Sequence, residues 1–211
     1  MSDIFELFKK ISKPAVPNTP PEFILAGLGN PGKDYAKTRH NAGFIAVDCI
    51  CHQLDTECRR VKFRSLCTDI QVGTHRTLLM MPQTMMNASG YALKEAADYY
   101  NIPPEKIIVI VDDINLEPGQ MRIRRSGTDG GHNGLKSIIC ELESDSFPRI
   151  RIGVGKKPTK EYDLADWVLG RISEDTFKEM RPCFEGCYDA AMMIMNGDID
   201  AAMGKYNGMN R

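Results

Sequence analysis

The chain of 211 residues has no excess charge of one sign: 27 Lys and Arg stand against 28 Asp and Glu, for a formal net charge of −1. That balance excludes a polybasic protein drawn to nucleic acid or membrane by its overall field, and leaves any affinity for phosphate to a local face. No apolar run reaches the roughly 18 residues that a membrane-spanning helix needs, so no membrane partner is expected. Seven cysteines are present, but no C-x-x-C pair: Cys49 and Cys51 stand two apart, Cys183 and Cys187 four apart. The histidines are few (positions 40, 52, 75 and 132) and do not combine with the cysteines at metal-ligand spacing. No metal and no cofactor are therefore expected. The thiols read as reduced ones in a cytoplasmic protein. Repeats and low-complexity tracts are absent except for a proline-rich lead.

That lead divides the chain into an extension over 1–22 and one domain over 23–211. Ile4, Leu7, Phe8 and Ile11 make a short amphipathic pattern, but Asp3 and Glu6 with no arginine resemble neither a secretory signal nor a transit peptide. Pro14, Pro17, Pro20 and Pro21 would stop any helix there. The remainder matches the usual domain size of ~100–200 residues.

Hydrophobic spacing orders the domain. Phe23 to Ala26 reads as a buried strand, and Phe44, Val47, Ile50, Cys51 and Leu54 place a helix over 40–54. Residues 63–72 and 77–81 read as a hairpin around Gly73, with His75 exposed in the turn. A helix over 87–100 follows, then the β-branched run Lys106 to Val111, the mark of a central strand covered on both faces. Further strands are predicted at 119–125 and 150–154. A Gly-rich turn opens into a helix at 130–142, a long helix starts after Ser173, and a short one covers 198–206. The 63–81 hairpin and an antiparallel pairing of 107–111 with 119–125 imply an α/β fold: a single domain with a mixed, twisted β-sheet surrounded by helices.

Gly27, Gly29 and Gly32 spell G-x-G-x-x-G, the pattern of a dinucleotide site. The context departs from that reading: Pro31 and a long polar spacer follow in place of a helix start, and the acid at about the right distance, Asp48, falls inside the predicted helix. Ser89 lies in Asn-Ala-Ser-Gly, which is not a nucleophile elbow. What remains is a histidine, a carboxylate and several amides on polar loops at predicted strand ends: Asn30, His40, Asn87, Asp112 and Asn133. A histidine can take a proton from water near neutrality, a carboxylate can hold its other ring nitrogen, and amides can donate to a carbonyl oxygen as it gains charge. Such a set suits hydrolysis of an activated ester without a covalent intermediate. Arg122, Arg124, Arg149 and Arg151 alternate along two predicted strands, which would place them on one face able to hold phosphate.

In order along the chain, Gly27-Leu-Gly-Asn-Pro-Gly32, Tyr35, Thr38-Arg-His-Asn41, Pro82-Gln-Thr-Met-Met-Asn87, Asp112-Asp113, Gly130-Gly-His-Asn-Gly-Leu-Lys136 and Arg149-Ile-Arg-Ile-Gly-Val-Gly155 resemble the bacterial-type peptidyl-tRNA hydrolases. The resemblance covers about residues 23–205. It implies a usually monomeric α/β enzyme that cleaves the ester between a peptide and the 3′ end of tRNA, with peptidyl-tRNA as its partner. It further implies His40 as the catalytic histidine and Asp112 as the acid that orients it. By the same resemblance Asn30, Asn87 and Asn133 position substrate and water, Tyr35 and Met86 contact the tRNA end or the peptide, and Arg124 with Arg151 clamps the tRNA 5′ phosphate. Two departures stand out: Asn115 where the family usually has a second aspartate, and the long lead. An RNA-binding protein of this fold without catalysis is the alternative, against which the complete set of polar residues speaks.

Overall fold

The structure is a computed structural model that describes residues 19–208. The amphipathic stretch at 4–11 and the prolines at 14 and 17 lie outside the described residues. The described chain joins the body at Glu22, whose N–H donates to the Arg76 carbonyl.

Among the described residues seven strands form one sheet: β1 (Phe23–Gly27), β2 (Arg60–Lys62), β3 (Ser65–Val72), β4 (His75–Pro82), β5 (Ile107–Asp113), β6 (Met121–Arg124) and β7 (Arg149–Gly153). Their order is β2-β3-β4-β1-β5-β7-β6. The four middle strands β4, β1, β5 and β7 run parallel, whereas the β2–β3, β3–β4 and β6–β7 pairs are antiparallel. The sheet is mixed, as expected, but for a partly different reason. β5 does not pair with β6; β7 lies between them, in parallel register with Val109 opposite Arg149. His75 opens β4 instead of sitting exposed in the turn; it packs edge-on against Phe23 and contacts the Glu22 carboxylate at 3.3 Å.

Alternation along the strands divides the core. Leu25, Ile108, Ile110, Ile150 and Ile152 face α1 (Ala42–Gln53), α5 (Glu174–Met195) and α6 (Ile199–Tyr206). Ile24, Ala26, Val109 and Val111 face α2 (Ser89–Tyr100) and α3 (Asn133–Leu142). All seven residues of β5 are buried, which follows from helices on both of its faces. The short helix α4 (Leu164–Leu169) packs against the 3₁₀ turn at Arg39–Asn41. Its start is capped by the Asp163 side chain, and that of α5 by Ser173, whose hydroxyl accepts from the Thr176 N–H.

Only one of the three glycines in the G-x-G-x-x-G pattern makes a turn: Gly32, at φ +113°. The other two let α1 press onto β1, since a Cβ on Gly27 would lie 2.2 Å from the Gly43 carbonyl oxygen and one on Gly29 would meet the Phe44 ring at 2.6 Å. This close approach draws the turn just before α1 down onto the carboxyl ends of β1 and β5.

Candidate active site

Ligand sites in open α/β sheets gather at the carboxyl ends of parallel strands. Here β1 ends at Gly27, β4 at Pro82 and β5 at Asp113, side by side in the sheet. A cleft of about 480 Å³ opens over them, lined by Asn30, His40, Met86, Asn87, Asp112, Asn133 and Arg151 among others. Seven of the nine residues singled out in the sequence thus converge. Tyr35 and Arg124 do not line the cleft. Tyr35 is half-buried in the loop between Gly32 and Thr38, and Arg124 is exposed on the edge strand β6.

His40 sits in a single 3₁₀ turn, Arg39–Asn41, that leads into α1. Its Nδ1 lies 3.0 Å from Asp112 Oδ1, and both residues are buried. A second histidine shares that oxygen: His132 Nε2 is also 3.0 Å from Asp112 Oδ1, and the two rings are 4.9 Å apart. The His132 tautomer follows from its other nitrogen. Nδ1 accepts from the backbone N–H groups of Gly134 (3.1 Å) and Leu135 (3.3 Å), capping α3. With Nδ1 committed as an acceptor, the proton of the neutral ring is on Nε2, and Nε2–H donates to Asp112. His40 then completes the carboxylate's coordination by donating Nδ1–H, which leaves its Nε2 lone pair as the basic atom.

The electrostatics agree with that arrangement. Burial by itself would push the Asp112 carboxyl up, but His132 and then His40 outweigh it and hold Asp112 well below the usual carboxylate range. Burial would likewise push the His40 imidazole down; the charge and hydrogen bond of Asp112 outweigh it and place His40 above the ordinary histidine value. The pair stays an ionised carboxylate beside a strengthened base.

His40, Asp112 and His132 also bring three ligand-type atoms within 4.8 Å of one another. The tautomer argues against a metal at this point. For Nε2 of His132 to offer a lone pair, the proton would have to move to Nδ1, where it would oppose two N–H donors and break the α3 cap.

The amides are held just as firmly. Asn30 Oδ1 accepts from the Met86 N–H at 2.7 Å, so its Nδ2 donor is left to face the cleft. Asn41 secures the Asn30 backbone from both sides, accepting from its N–H at 2.9 Å and donating to its carbonyl at 3.0 Å. Asn133 is the first residue of α3 and is exposed, as is Asn87 in the 3₁₀ turn Met86–Ala88. Ser89 is buried and donates to the Met86 carbonyl, which gives it a structural use.

On the apolar side of the cleft, Leu164, Val168 and Leu169 of α4 form a wall. It is anchored to the His40 turn by Arg39, which stacks 3.6 Å above the Trp167 ring and donates to the Trp167 carbonyl. On the polar side, Arg151 Nε lies 3.0 Å from Asp113 Oδ2, although its N–H does not point along that contact. Asn115 donates to the other Asp113 oxygen through its backbone N–H (2.9 Å) and its Nδ2 (3.3 Å). An aspartate at 115 would set two carboxylates against each other; the amide supplies a donor instead.

The arginine face is smaller than the alternation implied. Arg122 is the cross-strand neighbour of Arg151, and Arg124 of Arg149, all four on one side of the sheet. Arg149, however, is buried and occupied. Its guanidinium lies over the Phe147 ring and donates to the carbonyls of Gly127, Thr128, Asp145 and Phe147. Burial, with the Arg151 charge, pushes it down to about 10. Three arginines remain on the face: Arg122 directly opposite Arg151, and Arg124 as the diagonal neighbour of Arg151, roughly 7–8 Å from it at the backbone.

The residue that sequence reasoning overlooked is His132. Its signal was present: a histidine in a Gly-rich turn at the predicted start of a helix, where a side-chain acceptor caps free N–H groups.

Comparison with known proteins gives the same arrangement a lineage. The family model described as peptidyl-tRNA hydrolase matches residues 24–211. A peptidyl-tRNA hydrolase of Caldanaerobacter subterraneus subsp. tengcongensis is 46% identical over 186 residues, covering 88% of this chain and 100% of the relative. One of Clostridium novyi is 44% identical and covers 88% and 98%. The crystal structure of peptidyl-tRNA hydrolase from Acinetobacter baumannii superposes with a TM-score of 0.83 at 30% identity, covering 92% of this chain and 98% of that one. The match runs through every strand that carries the cleft, and with it this chain belongs to the peptidyl-tRNA hydrolase family.

Proposed function

We propose that this chain hydrolyses the ester joining a peptide to the 3′ end of tRNA, with His40 as general base. The observation that carries the reading is the His40–Asp112 contact at 3.0 Å, which turns Nε2 of a buried, strengthened imidazole toward an open cleft. His40 Nε2 takes a proton from water as the oxygen attacks the ester carbonyl; Asp112 stabilises the imidazolium that forms. The tetrahedral intermediate then collapses, the C–O bond to the ribose breaks, and the proton passes from His40 to the leaving ribose oxygen. Asn30, through its free Nδ2, and Asn87 and Asn133 at the cleft rim hold the water and the carbonyl oxygen. Met86 packs against the substrate inside the cleft, and Tyr35 meets the tRNA end from the loop beside it. The enzyme acts as a monomer in the cytoplasm.

The test is release of N-acetyl-aminoacyl groups from tRNA by the purified protein; binding without release would favour a non-catalytic RNA-binding role. Arg151 at the cleft and Arg124 on the neighbouring edge strand are assigned to the tRNA 5′ phosphate. Loss of either charge-assisted contact is worth roughly 1.5–3 kcal/mol, about 10–100-fold. Arg124→Ala and Arg151→Ala are therefore expected to raise KM for whole tRNA by that factor, while KM for a minimal N-acetyl-aminoacyl nucleoside ester stays within about twofold. Equal effects on the two substrates would remove the clamp.

A further inference from the structure

Cys51 and Cys58 lie at the far end of α1 from His40. We propose that they are a redox modification site, closing into a disulfide under peroxide and reopening with a dithiol, which clips α1 to the β2 edge of the sheet.

The local backbone explains the encounter. α1 ends in a left-handed residue, Asp55 (φ 47°), with Thr56 N–H donating to the Cys51 carbonyl (2.9 Å) and Asp55 N–H to the His52 carbonyl (3.3 Å). This pair of bonds is the Schellman stop, which folds the chain back over the last turn of the helix. It returns Cys58 to Cys51, with the sulfurs 3.8 Å apart. Cys58 Sγ is also 3.8 Å from the Leu79 carbonyl of β4, so the thiol is placed between helix and sheet. Cys51 and Cys58 line a groove of about 550 Å³ together with Asp48, His52, Thr56 and Arg59, which gives a small oxidant a way in. Once ionised, the Cys51 sulfur can accept from the Cys58 S–H, and this holds the Cys51 thiol below its ordinary value against the opposing effect of burial. Cys51 is therefore the attacking thiolate.

In the first step the Cys51 thiolate attacks hydrogen peroxide; the O–O bond breaks, hydroxide leaves, and Cys51 becomes a sulfenic acid. In the second, Cys58 sulfur attacks the Cys51 sulfur and the S–O bond breaks. Two thiols and one peroxide thus become one disulfide and two waters. A dithiol reverses the change by exchange, becoming oxidised itself.

The bridge closes a short loop, from 51 to 58, and restricts the unfolded chain. A rise in Tm of about 5 °C is expected. Eleven steps along helix and turn, roughly 16 Å, take the chain from His40 to Cys51, so the active-site geometry and turnover are expected to be unchanged.

The experiment treats the whole purified protein with hydrogen peroxide, then maps disulfides by non-reducing peptide mass spectrometry and measures Tm and turnover. A Cys51–Cys58 linked peptide, a Tm gain reversed by dithiothreitol, and unchanged turnover are expected. Cys58→Ser should lose the gain, whereas Cys140→Ser, at an exposed position, should keep it. The proposal is overturned if Cys51 and Cys58 remain alkylatable after peroxide, if Cys51 proceeds to a sulfinic acid without linking, or if the linked form melts no higher. Peptide mapping of the unmutated protein decides the matter even if Cys58→Ser does not fold. The outcome is separate from the hydrolytic reading, since neither thiol touches the cleft.

Discussion

Replacing His40 by alanine is expected to lower kcat/KM for N-acetyl-aminoacyl-tRNA by ~10²–10⁴-fold, the contribution of a positioned general base. That corresponds to about 3–5 kcal/mol of transition-state stabilisation. The tRNA affinity of the variant should stay within a few-fold of the parent's, because phosphate recognition is assigned to Arg124 and Arg151, on strands away from the His40 turn. In the unmodified protein the base must be unprotonated to work. Its value stands above the ordinary 6.5 because Asp112 outweighs burial, so kcat/KM should fall as pH drops through a point above 6.5. The measurement is a pH–rate profile of both proteins together with tRNA binding. Retained turnover by the alanine variant, or a flat profile for the parent, would remove His40 from the chemistry.

Asp112→Asn is expected to have the second-largest effect, a fall in kcat of ~10²-fold or more with little change in KM. The amide can still accept from His40 Nδ1–H, but it brings no charge to the imidazolium that forms during the reaction. Without that charge the downward effect of burial on His40 is no longer outweighed. The acidic limb of the pH profile should therefore move to lower pH. His132 supplies a finer test, because its two nitrogens do two different things. Asn is a good N-cap, so His132→Asn can keep the start of α3 while withdrawing the 3.0 Å contact to Asp112. Tm within a few degrees of the parent's, with kcat about 10–100-fold lower, is the expected pattern for loss of one hydrogen bond to a carboxylate. A variant that loses stability and keeps kcat would make His132 a cap and nothing more.

The parts of this protein legible in the sequence are those governed by near neighbours. The apolar run over 106–111 could only be a strand covered on both faces, and the spacing of Phe44, Val47, Ile50 and Leu54 placed α1 to within a residue or two. Ser173 marked the start of α5 because capping needs only the residues just after it. His40, Asp112 and the three asparagines were recognisable as types of residue on loops at strand ends, and the family pattern assigned them before any geometry was known.

The tertiary structure decided the rest. β7 entered between β5 and β6, because a parallel partner for the wholly buried β5 comes from across a helical crossover, and no local pattern encodes that choice. Two consequences follow from this one placement. Arg149 was carried inward, where four carbonyls occupy its guanidinium, so that an arginine indistinguishable in sequence from Arg151 became a strut. Arg151 was brought instead to the cleft beside Asp113. The pairing of His132 with Asp112 and the return of Cys58 to Cys51 are likewise matters of distance between groups far apart in, or folded back along, the chain. Periodicity reports which face a side chain takes; only the packed sheet and its helices settle what that face meets.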